Sequence, residues 1–196
     1  MVEAIAVGAG FNAEGGTKNF NFSTRRSESI LHEYMLLNRG TDREKDGFFL
    51  RAESFFNVGT EIERLDRDGG SGLIHFYGGV SLHEQSHGES FLSLVKNRFG
   101  AYGLFILDEP EAALSPQGQI TLLVLMHRLV NEQYSQVIMA THSPLLMAFP
   151  GATIYQITEQ GVQKIAYDDT EHYQVTRTFL NSPHAFLERV LRDPTT

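Results

Sequence analysis

Two adjacent acids and one histidine are the residues of this 196-residue chain best placed to do chemistry. Asp108 and Glu109 end the apolar run of "GLFILDEPEAALSP", residues 103–116. One carboxylate at the end of a buried strand can hold a magnesium ion through water, while its neighbour orients the water that attacks a phosphate. A solvated acidic turn would explain the pair alone, and a lone histidine is more often structural than catalytic. The design recurs, however, in "VIMATHSPLLMAFP", residues 137–150, where a second apolar strand ends in Thr141 and His142. Two parallel strands would then deliver Asp108, Glu109 and His142 to one sheet edge, where α/β proteins bind ligands.

Both loops close on a helix start. Ser115 is placed as an N-cap with Pro116 at the first helical position, and Ser143 with Pro144 repeats the arrangement. A third start lies in "SLHEQSHGESFLSLVKNRF", where Ser86 and Glu89 have capping-box spacing and Phe91, Leu92, Leu94, Val95 and Phe99 supply the apolar face. Open backbone amides at such a start, with the helix dipole behind them, can receive a phosphate.

Around these motifs the pattern predicts a helix over Val2–Val7 that stops at Gly8 and Gly10, and a loop or hairpin around Gly15 and Gly16. A short helix follows over Ser29–Leu37, then a strand at Phe48–Leu50 and a helix through Phe55, Phe56, Val58 and Ile62. Next come a strand at Leu104–Leu107, a helix from Pro116 to about Glu132, a strand at Gln136–Ala140 and a short helix after Ser143. A hairpin turning near Gln160 and Gly161 and two helices, over Thr170–Leu180 and Pro183–Leu191, close the chain. Buried strands alternating with helices predict one α/β domain with a mainly parallel sheet.

Composition narrows the partners. With 41% hydrophobic and 20% charged residues the chain has the balance of a soluble globular domain. A formal charge of −8 argues against gripping bulk nucleic acid through a basic surface, which leaves only a local patch for that role. There is no cysteine, hence no disulfide framework and no thiolate chemistry, which fits a cytoplasmic protein. No apolar run reaches the roughly 18 residues of a membrane helix.

Together, "QSHGE", "LFILDEPEAALSP" and "ATHSP" resemble the ATP-binding-cassette ATPase family, in the soluble branch near the recombination-repair and chromosome-maintenance heads and their AAA-type relatives. They look like its signature motif, its Walker B strand with catalytic glutamate and D-loop, and its switch histidine. The resemblance implies a P-loop NTPase-like fold with a small helical lid, here over about residues 53–100, and hydrolysis of ATP with Mg2+. It implies that Asp108 supports the metal, Glu109 polarises the attacking water and His142 contacts the γ-phosphate. Ser86 and Gly88, with His87 and Glu89 beside them, would bind ATP held by a second subunit, because such heads close as head-to-tail dimers. Glu53, in "LRAESFF", matches the Q-loop glutamine, and Ser115 the D-loop aspartate. His87 stands where the family has a glycine.

The family's phosphate loop, G-x-x-x-x-G-K-[ST], matches no segment of this sequence. "GAGFNAEGGTK" comes nearest, but its Lys18 follows Thr17. Residues Val2–Val7 resemble the helix that follows that loop, so the expectation is an N-terminally incomplete domain, most simply by truncation. Two alternatives belong to other classes. The chain could be a non-enzymatic regulatory or interaction fragment that offers its signature helix to an intact partner. "HEQSH", His83 to His87, also matches the H-E-x-x-H zinc-protease pattern, which needs all five residues on one helix.

Overall fold

The computed structural model describes residues 1–18, 30–38, 40, 43–69 and 86–192. They fall into two compact units, Met1–Thr141 and His142–Thr196.

The first unit is built on a parallel sheet. Helix α1 (Val2–Gly8) is followed by strand β1 (Asp46–Arg51), α2 (Phe55–Gly69), α3 (His87–Arg98), β2 (Gly103–Asp108), α4 (Pro116–Asn131) and β3 (Gln136–Ala140). The strand order is β1-β2-β3, all parallel. The architecture is therefore the expected α/β, P-loop NTPase-like one: a parallel sheet flanked by helices. Phe48, Phe49 and Leu50 in β1 and Phe105, Ile106 and Leu107 in β2 are all buried, the continuous apolar run of strands covered on both faces.

Register assigns those residues to opposite sides. Phe48 pairs with Phe105 and Phe49 with Ile106. Phe49 and Ile106 join Ala6, Ala9 and Phe11 in the cluster that seats α1. Phe48 and Phe105 meet Phe99, just past the end of α3, whose ring stacks on Phe105 at 4.1 Å and lies 5.7 Å from Phe48. Gly47 is required by close approach, since a Cβ there would come within 2.7 Å of the Phe11 ring and 3.0 Å of the Leu104 carbonyl oxygen. An antiparallel bridge between Gly16 and Phe49 ties the loop after α1 to β1.

One expectation is corrected. The helix over Ser29–Leu37 is only a 3-10 segment, Ile30–Tyr34, with Ser29 outside the described residues. Ile30 is 66% and Tyr34 78% exposed, so no apolar face is buried to support further turns. The lid expected over residues 53–100 falls partly outside the described residues.

The second unit holds α5 (Pro144–Met147), the antiparallel hairpin β4 (Ile154–Thr158) and β5 (Gly161–Ile165), α6 (Glu171–Asn181) and α7 (Pro183–Arg192). The hairpin turns between Thr158 and Gly161, the latter at φ +122°. Tyr167 donates its hydroxyl to the Pro144 carbonyl at 3.1 Å, and Phe179 meets Phe186 edge-on at 5.6 Å. Among the described residues no helix is long and apolar enough to cross a membrane.

Candidate functional site

The C-terminal ends of the parallel strands meet in one rung. Arg51 of β1 pairs with Asp108 of β2, which pairs in turn with Ala140 of β3. Beyond the rung the backbone stays tied: Ala52 N–H donates to the Asp108 carbonyl at 3.2 Å, and Glu109 N–H to the Ala140 carbonyl at 3.0 Å. Ser54 closes the turn after β1 by donating its hydroxyl to the Glu14 carbonyl. Between the two loops lies a cleft of about 240 Å3 lined by Arg51, Ala52, Glu53, Asp108, Glu109 and Ala112.

Glu109 holds an unusual backbone, φ 48° and ψ 52°, immediately before the turn Pro110–Ala112. This left-handed conformation costs a residue with a Cβ about 1–2 kcal/mol. The surroundings fix it: Ala140 accepts the Glu109 N–H, and Ala112 N–H returns to the Glu109 carbonyl at 3.0 Å. Strain of this kind gathers at working sites and points to the residue that carries it.

Asp108 is half-buried, with its side chain 23% exposed and Oδ2 3.3 Å from the Arg51 Nε. Burial pushes its carboxyl above the ordinary carboxylate range; Arg51 pulls the other way, and the neighbouring Glu109 charge adds to the upward push. Arg51 also donates through Nη1 to Glu3 Oε2 and to the Ala13 carbonyl, both at 3.1 Å, while its Nη2 lies 3.6 Å from Glu53. Its buried Nε has no hydrogen-bond acceptor in line, so the Asp108 contact is ionic only.

The signature-like residues form a second group. Ser86 caps α3 in a complete capping box, its Oγ accepting from Glu89 N–H and its own N–H donating to Glu89 Oε2 at 3.1 Å. The Ser86 hydroxyl also donates to Glu89 Oε2, which holds that carboxyl below its usual range. His87 meets Phe55 edge-on at 5.3 Å. Gly88 packs so closely on the loop before α4 that a Cβ would lie 3.1 Å from the Ala113 carbonyl oxygen. Two residues on, Ser115 caps α4 and accepts from Gly118 N–H at 3.2 Å.

Of the residues singled out by sequence, the fold thus gathers Glu53, Asp108 and Glu109 in the cleft. Ser86–Glu89 pack on the loop that leads to Ser115, and neither group of residues lines the cleft. His142 opens the second unit, where its ring stacks on His172 and its Nδ1 lies 2.9 Å from His172 Nε2. Ser143 behind it caps α5 as its sequence predicts. His83 and Glu84 lie outside the described residues, and α3 begins only at His87.

Sequence reasoning passed over Arg51, Glu3 and Glu111, and named Thr141 only as a strand end. Thr141 donates to Glu111 Oε2 at 2.7 Å, fastening the loop after Glu109 to the end of β3. The position of Arg51, at the end of a buried strand two residues before Glu53, was the available signal.

Among the described residues no group of three or more His, Asp or Glu side chains is placed to hold a metal ion. Mg2+ needs fewer, since it keeps several waters and takes one or two carboxylates. Asp108 and Glu109 offer such hard oxygen donors at a cleft of about 240 Å3. The donor set and the space both fit a hydrated Mg2+ ion.

Residues 80–148 match the family described as "AAA domain, putative AbiEii toxin, Type IV TA system". The matched segment contains α3, β2, α4, β3 and α5. It supports an AAA-type, P-loop ATPase-like domain with a nucleotide-binding role. Neither a curated protein nor a solved structure matches the chain.

Proposed function

We propose that this chain is the catalytic body of a Mg2+-dependent ATP hydrolase of the ATP-binding-cassette type, acting as a head-to-tail homodimer. The observation that carries the reading is the Asp108–Glu109 pair, set at the C-terminal end of a buried parallel strand with Glu109 held in a left-handed conformation beside the cleft.

Asp108 would hold Mg2+ with water completing its shell, and the ion would supply neutralisation of phosphate charge and orientation of the terminal phosphoryl group. Glu109 is the exposed member of the pair and serves as the base that polarises the attacking water. Asp108, 3.3 Å from the Arg51 guanidinium, lines the same cleft. Glu53 lines the opposite wall and positions water or phosphate from there. By the same resemblance His142, whose Nδ1 lies 2.9 Å from His172 Nε2, would contact the γ-phosphate.

The resemblance of the second group of residues to the family's signature motif is what suggests a dimer. Ser86, His87, Gly88 and Glu89, with Ser115 nearby, stand apart from the cleft and would address nucleotide held by the other copy. The capping box occupies the Glu89 amide at the start of α3, the helix whose N-terminal dipole would favour the phosphate.

The test is phosphate release from MgATP by the chain joined upstream to a segment that supplies the phosphate loop, and by its Glu109→Gln variant, with nucleotide binding and light scattering measured alongside. Binding, ATP-dependent dimers and turnover that Glu109→Gln abolishes support the proposal. Dimers without turnover in the wild type would make the chain a regulatory module, and an absence of nucleotide binding would sink the reading.

A further inference from the structure

Arg51 is a cation at the end of β1 that the proposed chemistry does not use as a ligand. Its guanidinium touches three carboxylates, those of Glu3, Glu53 and Asp108, at 3.1, 3.6 and 3.3 Å. We infer that Arg51 is the resident counter-cation of Asp108 and competes with a divalent metal ion for that carboxylate, so that it sets the metal affinity of the cleft. The inference rests on the reading that Asp108 holds the metal.

Three observations support it. First, Arg51 and Asp108 are register partners on neighbouring parallel strands, so the backbone itself fixes their proximity. An arginine cannot shed its charge, and a permanent cation 3.3 Å from a ligand oxygen opposes the arrival of a second one.

Second, the contacts of Arg51 are unequal. On the far side, Nη1 is anchored by two 3.1 Å hydrogen bonds, to Glu3 in the first turn of α1 and to the Ala13 carbonyl in the loop after it. Toward Asp108, the buried Nε has no acceptor in line. The Asp108 contact is therefore the one that an incoming ion can break while the anchor holds.

Third, the lining of the cleft carries three carboxylates, Glu53, Asp108 and Glu109, against the one guanidinium. One cation cannot satisfy all three, and the excess favours a second positive charge. Arg51 thereby also links metal entry to α1 and to the loop around Ala13, because both hold the guanidinium that must yield.

Mn2+ binding to the full chain, followed by the loss of the free-ion paramagnetic resonance signal, tests this without reference to turnover. Arg51→Gln is expected to bind Mn2+ about tenfold more tightly than wild type, the scale on which one charge at this range acts on its neighbour. Arg51→Lys, which keeps the charge, should stay near wild type, and Asp108→Asn should lose the site. Glu3→Gln provides a variant that leaves the cleft intact: with its anchor weakened, Arg51 closes on Asp108 and Mn2+ binds less tightly. The two substitutions thus move affinity in opposite directions, which general damage to the fold cannot do. Arg51→Gln binding equal to or weaker than wild type, with the site still lost in Asp108→Asn, overturns the role of Arg51 alone. Mn2+ binding that is absent, or equal in wild type and Asp108→Asn, overturns the metal role of Asp108 and this inference with it.

Discussion

Thr141 donates its hydroxyl to Glu111 Oε2 at 2.7 Å, and the bond joins the end of β3 to the turn that presents Glu109. Glu111 is thus a positioning residue. Thr141→Val should cost about 1.5–3 kcal/mol in denaturant unfolding, the worth of a hydrogen bond to a charged group. If the bond also aims Glu109, kcat should fall while KM for ATP stays unchanged; a change in KM alone would point to a binding role instead.

Glu109→Gln keeps the size of the side chain and removes its basicity. Loss of a general base costs about a hundredfold or more in turnover. Phosphate release should drop by that factor with nucleotide affinity retained, and ATP-bound dimers should accumulate in light scattering. Substantial residual hydrolysis would count against Glu109 as the base.

Glu109→Gly separates stability from activity at the same position. Glycine tolerates φ 48°, so relief of strain should outweigh the added freedom of the unfolded chain by about 0.5–1 kcal/mol. The variant should unfold at higher denaturant than wild type and hydrolyse no ATP. A loss of stability would mean that Glu109 side-chain contacts matter more than its backbone strain.

The pH dependence of stability reports on Asp108. Burial raises its carboxyl above the ordinary value of 3.8, against the pull of Arg51. A raised folded value means the fold prefers the neutral acid: the contribution is fully present below the unfolded value and is lost as pH rises through the folded one. Asp108→Asn mimics the neutral acid at every pH. It should therefore melt above wild type at neutral pH, and the gap should close as pH falls below 3.8; a gap that widens on acidification would show that Arg51 outweighs burial.

Ser115→Ala removes the hydroxyl that accepts from Gly118 and should cost about 1 kcal/mol of unfolding free energy. Because Ser115 is also proposed to face the nucleotide of a second copy, the same variant should weaken ATP-dependent dimers. Intact dimers at reduced stability would confine Ser115 to its capping role.

Much of this was legible because it is local. The three helix starts at Ser86, Ser115 and Ser143 depend on spacings of two or three residues, and each forms as read, down to the reciprocal bonds of Ser86 and Glu89. The buried strands announced themselves by unbroken apolar runs such as Leu104–Leu107. For Arg51 only its place at the end of a buried strand was legible, since its worth lies in strand register with Asp108 and in bonds to Glu3 and Ala13, which join segments distant in sequence. The same holds for the pairing of His142 with His172. Ile30–Tyr34 failed in the opposite sense: its local pattern suits a longer helix, but Ile30 and Tyr34 stay exposed.

The pairing of Arg51 with Asp108 assembles the cleft from two strands far apart along the chain. Contacts between distant segments close slowly, because each requires a long loop to give up its freedom first. No partly folded chain can therefore possess the cleft, and a ligand that occupies it recognises only the finished sheet. Nucleotide or metal in the medium should accordingly draw the last folding step to completion by mass action and leave early collapse untouched.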